Sequence, residues 1–106
     1  MKVQSITLIG RRWFSLTHGN TYHSADILVN GALVHNTGIH YGYGSHWTEG
    51  TCYDWLKANG YLPSHNGRQA LWAICQDEKI VLHESVTDVT RKKDLYKSAS
   101  PGKGTR

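Results

Sequence analysis

The sequence predicts an α+β fold, an antiparallel sheet with its helices packed on one face. Three observations support it: strand-like alternation in the first third of the chain, an Asn-Gly turn between two such segments, and a helical stripe with marked ends in the middle. The chain has 106 residues and a hydrophobic fraction of 39%, enough for one modest core. We therefore expect a single domain over residues 1–95.

The first strand is predicted over residues 3–14, where polar and apolar residues alternate with a period of two. This period places Ile6 and Leu8 on one face of the strand, and Arg11 and Trp13 on the other. The Arg-rich end is expected to be exposed.

Two turn signals connect this strand to the next two. Gly19 and Asn20 predict the centre of the first turn, and residues 22–29 resume a strand. Asn30-Gly31 predicts a two-residue type I′ turn, because both central positions of that turn need a positive φ. Residues 32–36 then return antiparallel to the second strand, which completes a three-stranded meander.

The main helix is predicted to begin after Thr48, a natural N-cap, and to end at Asn59-Gly60, with Pro63 preventing its resumption. Its predicted buried stripe is Cys52, Trp55 and Leu56. Residues 69–76 fit a short second helix better than a strand, with Leu71, Ile74 and Cys75 inward. Residues 79–89 predict a C-terminal strand. Both helices are expected on one face of the sheet, which leaves the other face partly open.

The net charge of +4 is concentrated at the C-terminus. Residues 91–106 hold six basic side chains and one acidic side chain, whereas the rest of the chain is close to neutral. We predict a basic, disordered tail over residues 96–106. Such a tail either binds phosphates without sequence preference or only solubilises the protein.

The seven histidines have no spacing typical of a zinc site, and the two cysteines form no CxxC pair. We expect no metal and no cofactor, and we interpret the histidines as structural; His23 and His35 are predicted to face each other across the second hairpin. Cys52 lies on the helical stripe, which favours a core residue over a nucleophile. No catalytic motif is found, so the protein is predicted not to be an enzyme.

Aromatic and basic residues provide the candidate binding site. The predicted site residues are Arg11, Arg12, Trp13, Tyr41, Tyr43, Arg91, Lys92 and Lys93. A guanidinium beside an indole suits both single-stranded nucleic acid and a protein interface. The alternative is a tryptophan that packs in the core under an arginine.

The segment 38–47, GIHYGYGSHW, joins the third strand to the helix. Period-two alternation places Tyr41 and Tyr43 on one side of a kinked strand end and His40 on the other. His46 is expected in the turn to the helix. The histidines of this segment are therefore not expected to meet.

The order of motifs LIGRRWF, GNTYHS, ILVNGALVH, YGYG, WLKANGYLP and SVTDVTRKKDL resembles a group of small uncharacterised proteins of bacteriophages and prophages. The resemblance covers about nine tenths of the chain, up to Leu95. It implies a protein that binds host or phage machinery, with interference in a defence nuclease complex, in the manner of an anti-CRISPR protein, as one such role. It supplies no site residues.

Two classes of function follow. The first is a non-enzymatic interaction protein, acting in the host cytoplasm, that binds and inhibits a host protein or ribonucleoprotein complex. The second is a direct binder of RNA or single-stranded DNA that uses the sheet aromatics and the basic tail. No segment reaches the roughly 18 apolar residues of a membrane helix, so no membrane partner is expected. Both a monomer and a homodimer, paired through a strand edge, are compatible with the sequence.

Overall fold

The computed structural model describes residues 2–42, 44, 46–62 and 70–96. It is an α+β fold with a five-stranded sheet and two helices. The strands are β1 (Ser5–Ser15), β2 (Asn20–Val29), β3 (Ala32–Asn36), β4 (His40–Tyr41) and β5 (Val81–Val89). A π-helical turn (Trp47–Cys52) runs into α1 (Tyr53–Ala58); α2 (Leu71–Asp77) precedes β5, and a 3-10 turn (Lys92–Tyr96) follows it.

The sheet is mixed. β2 lies antiparallel between β1 and β3, and the two-residue β4 also pairs with β2, so the arrangement is not a simple meander. β5 pairs with β1 in parallel, and the prediction of an entirely antiparallel sheet is therefore wrong. The reason is the crossover between β4 and β5: its described parts, residues 46–62 and 70–80, pack over one face of the sheet, and such a crossover allows the next strand to run parallel.

One hairpin turn lies where the sequence predicted it, and the other lies slightly away from its predicted position. Asn30 and Gly31 have φ values of 52° and 84° and form the predicted two-residue turn between β2 and β3. In the first hairpin Ser15 pairs with Asn20, so the loop is residues 16–19 and Asn20 already belongs to β2. The first turn therefore lies slightly earlier than predicted.

The sheet has two unlike faces. We call the side that carries Ile6, Leu8 and Ile27 the helix face, because these residues form one core with both helices. The core residues contributed by the helical segments are Trp47, Cys52, Tyr53, Leu56, Leu71, Ile74 and Cys75. The side that carries Ile9, Arg11 and Trp13 is the open face.

The helical segment begins earlier than predicted. Trp47 is already helical, and Thr48 is buried inside the first turn instead of capping it. Burial of Trp47 explains this start, since its indole lies against Gly10 of β1. The other end agrees with the prediction, because the helix terminates at Asn59 and Gly60 takes a φ of 81°.

The end of the described chain covers part of the open face. Leu95 in the 3-10 turn is fully buried, and its carbonyl accepts a hydrogen bond from the Ser24 hydroxyl of β2. Within the described residues, no helix has the length and apolar character needed to cross a membrane. Residues 97–106 of the predicted tail lie outside the described residues.

Candidate functional site

Three aromatic rings cross the open face on adjacent strands. Trp13 of β1 pairs with Tyr22 of β2, which pairs with Tyr41 of β4. The Trp13 and Tyr22 ring centroids lie 5.9 Å apart at an interplanar angle of 28°, and those of Tyr22 and Tyr41 lie 5.7 Å apart at 69°. We call these three side chains the aromatic row.

The aromatic row is accessible from solvent. Tyr41 is 57% exposed, while Trp13 and Tyr22 are half-buried. Beside Trp13 and Tyr22 lies a surface groove of about 540 Å³, to whose lining Lys92 also contributes. Rings that are fixed by their neighbours and still open on one side offer stacking surfaces for another planar group.

The predicted cations do not all reach this surface. Arg91, Lys92 and Lys93 are exposed, and Arg91 pairs with Asp94 at 3.4 Å. Arg12 points to the helix face, where its Nε donates to Asp88 at 3.1 Å. Among these four residues, only Lys92 lines the groove.

Arg11 lies on the same face as Trp13 but is buried. It is 7% exposed, and its guanidinium lies 3.5 Å from the carboxylate of Asp26, which is itself 1% exposed. Asn36 donates a 2.7 Å hydrogen bond to the same carboxylate. In this arrangement the Arg11 side chain is packed inside the fold and is not accessible to a partner.

Of the two tyrosines predicted to act together, only Tyr41 can be placed, because Tyr43 lies outside the described residues. Tyr22, the central member of the row, was not among the predicted site residues. The register of the first hairpin places Tyr22 in the row: with a loop of residues 16–19, Tyr22 pairs directly with Trp13.

A cluster of histidines occupies the helix face behind the row, with His40 and His46 each beside His23. The ring of His23 lies 6.0 Å from that of His40 and 5.7 Å from that of His46. His23 therefore faces His40 instead of His35. His35 stacks on Trp55, with 4.4 Å between the ring centroids.

Two glycines make room for this cluster. A Cβ on Gly42 would come within 2.5 Å of the His46 ring, and one on Gly50 within 2.9 Å. Gly42, in the segment 38–47, and Gly50, just after it, thus allow the backbone to approach the His46 ring closely.

The histidine cluster resembles a group of packed side chains more than a set of metal ligands. Burial lowers the pKa of His23, and the neighbouring His46 and His40 lower it further, against the opposite effect of a hydrogen bond to Gly42. Within the described residues no group of three or more His, Cys, Asp or Glu side chains is arranged to hold a metal ion.

Both cysteines are free and buried. Burial raises the pKa of the Cys52 thiol to about 12 and that of Cys75 to about 11, and the nearby carboxylate of Glu84 contributes to both shifts. Because the thiolate is the reactive form, neither cysteine is prepared for nucleophilic attack near neutral pH. Cys52 is a core residue, as the helical stripe predicted.

Comparison of the chain with protein-family models, with curated proteins and with solved structures finds no match. The resemblance to phage proteins therefore stays a prediction. The function has to be argued from the described surfaces.

Proposed function

We propose that the protein binds single-stranded nucleic acid on its open face. The observation that carries the proposal is the aromatic row, whose three rings lie on adjacent strands 5.7 to 5.9 Å apart. Bases of any sequence can stack on such rings, and each stacked base contributes about 1–3 kcal/mol. An aromatic row on a sheet face is a mode of single-strand recognition used by several RNA-binding modules.

A basic side chain beside the aromatic row also supports nucleic-acid binding at the open face. Lys92 contributes to the groove beside Trp13 and Tyr22, and Arg91 and Lys93 are its exposed neighbours in sequence. The Lys92 ammonium at this edge of the row suits the phosphates of a strand whose bases stack on the rings. Binding is therefore expected to combine a stacking component with a salt-dependent component.

Replacing Tyr41 with alanine is expected to weaken binding of a short oligonucleotide between about 5-fold and about 150-fold, the range that corresponds to one lost base stack. Tyr41 is 57% exposed, so its loss is expected to leave the fold intact. Fluorescence anisotropy with labelled single-stranded DNA and RNA measures the affinity, and a duplex of the same sequence is expected to bind more weakly.

Trp72 provides the matched control for Tyr41. It is 62% exposed on α2, away from the open face, so Trp72→Ala removes a solvent-exposed ring of another surface. Affinity equal to that of the unmodified protein is expected. Absence of binding at low salt, or an equal loss in the two variants, would contradict the proposal.

A second candidate function is the binding and inhibition of a host nucleic-acid-handling complex. Its candidate contact surface is the tip of the first hairpin. Phe14 is 52% exposed and Leu16 is 89% exposed, and apolar side chains displayed together in this way are typical of protein contacts. The resemblance to phage proteins motivates the choice of a defence complex as partner.

Capture from nuclease-treated host lysate tests the second candidate. The full chain is expected to retain a partner, and the double variant Phe14→Ser/Leu16→Ser is expected to lose it, because the exposed apolar contact is removed. Tyr41→Ala serves as the comparison on the aromatic row. Capture that depends on intact nucleic acid, or that survives the double variant, would contradict a protein contact at the tip.

A further inference from the structure

The two residues of β4 link the two faces of the sheet. Tyr41 completes the aromatic row on the open face, and His40 lies beside His23 on the helix face. The attachment of β4 to β2 is short: two residue pairs, and a 3.0 Å hydrogen bond from the Gly42 amide to the Thr21 carbonyl. Whatever loosens this attachment also removes Tyr41 from the row.

His23 contacts this segment from the helix face of the sheet. Its ring is fully buried, with Nδ1 3.1 Å from the Gly42 carbonyl oxygen and Nε2 2.8 Å from the Thr51 hydroxyl. A carbonyl oxygen can only accept, so Nδ1 carries the hydrogen. In the neutral ring the Thr51 hydroxyl donates to Nε2, whereas in a protonated ring Nε2 carries a hydrogen and the hydroxyl has to turn and accept it.

The surroundings of His23 disfavour a second proton. The groups that face it are His40 on β4, His46 at the start of the helical segment, and Arg12, its pairing partner on β1. Arg12 is paired with Asp88 of β5. The remaining titratable groups near the cluster, His35 and Asp54, line the outer pocket that His40 and His46 also line.

We propose that His23 is a proton-sensitive latch: neutral, it keeps β4 closed on β2, and protonated, it releases β4 and takes Tyr41 out of the aromatic row. A charged ring that is fully buried has lost its hydration, and moving β4 away returns it to water. The two-residue β4 opens more easily than β2, which is paired on both sides. The consequence for nucleic acid rests on the proposed function, whereas the opening itself does not.

The direction of the pH effect follows from the burial of His23. Its pKa lies below the ordinary 6.5 in the closed form, first because of desolvation and then because of His46 and His40. The closed form therefore binds fewer protons than an open form in which the ring meets water. Its full stability is present above pH 6.5 and is lost as the pH falls through the lowered pKa.

His23→Asn is the matched variant, because the asparagine amide donates to Gly42 from nearly the position of Nδ1 and does not titrate. Hydrogen exchange gives the protection factor of the Gly42 amide at pH 7.5 and 5.5. In the unmodified protein it is expected to be lower at pH 5.5 than at pH 7.5, and in His23→Asn it is expected to stay constant. His18→Asn, which changes an exposed turn histidine, is expected to retain the fall.

Oligonucleotide binding is measured in parallel. Protonated histidines attract phosphates, so a simple charge effect strengthens binding at pH 5.5. The latch predicts the opposite, a weakening at pH 5.5 that is at most as large as that of Tyr41→Ala at pH 7.5, because Tyr41 leaves the row only in molecules whose β4 is open. Opening of β4 without nucleic-acid binding at either pH would refute the proposed function and leave the latch standing.

Equal protection of Gly42 at the two pH values, or a fall in His23→Asn as large as in the unmodified protein, overturns the latch. If His23→Asn does not fold, His40→Gln replaces it, with the glutamine amide in place of Nε2. Because His40 lowers the pKa of His23 in the closed form, its removal narrows the difference from the open form and is expected to make the fall in Gly42 protection smaller. A fall as large as in the unmodified protein overturns the proposal.

Discussion

Replacing Gly10 with alanine is expected to lower the free energy of unfolding by about 2–3 kcal/mol, the upper part of the range for overpacked cores. A Cβ at this position would lie 2.7 Å from Cε3 of Trp47. Neither partner can move easily: Gly10 is on β1, which is paired on both sides, and Trp47 is 5% exposed. Urea denaturation followed by tryptophan fluorescence and circular dichroism measures the change.

Gly19→Ala is the control for this substitution. Gly19 has a φ of 70° and no atom within 4 Å of the added Cβ, so alanine there meets only the backbone preference, about 1 kcal/mol. In addition, Trp47→Phe is expected to reduce the cost of Gly10→Ala, because the smaller ring leaves room for the methyl group. Equal costs for the two glycine variants would show that Trp47 does not pack on Gly10 in solution.

The parts of the fold that local chemistry determines were predictable. The Asn30-Gly31 turn follows from residues that tolerate positive φ, and the end of α1 follows from Gly60 in the same way. The direction of β5 is different, since it depends on where the crossover delivers the chain. Nothing within residues 79–89 distinguishes a strand parallel to β1 from an antiparallel one.

In the candidate site, too, local patterns in the sequence predicted some features, whereas contacts between distant segments determined the others. Alternation along β1 correctly separates Arg11 and Trp13 from Phe14, but it carries no information about burial. Arg11 is buried because the 3-10 turn, with Leu95, folds back onto the open face from the far end of the chain. The meeting of His23 with His40 likewise depends on the pairing of β4 with β2, a contact that spacing in the sequence does not reveal.

The buried ion pair on the open face leads to the largest expected loss of stability. Arg11→Met is expected to lower the free energy of unfolding by about 3–5 kcal/mol, because it removes the Arg11 guanidinium from the buried carboxylate of Asp26. Arg12→Met is the matched control: its partner Asp88 is 77% exposed, and such a pair contributes about 0–1 kcal/mol. Urea denaturation at neutral pH compares the two variants.

The double variant Arg11→Met/Asp26→Asn separates the charge from the packing. It removes both charges and keeps a side chain that can still accept from Asn36. In the unmodified protein, Nε and Nη2 of Arg11 have no hydrogen-bond acceptor among the described residues, and buried donors of this kind are costly. We therefore expect the double variant to be more stable than Arg11→Met, with most of the loss recovered. If Arg11→Met costs no more than Arg12→Met, Arg11 is solvated in solution and returns as a candidate contact for phosphate beside Trp13.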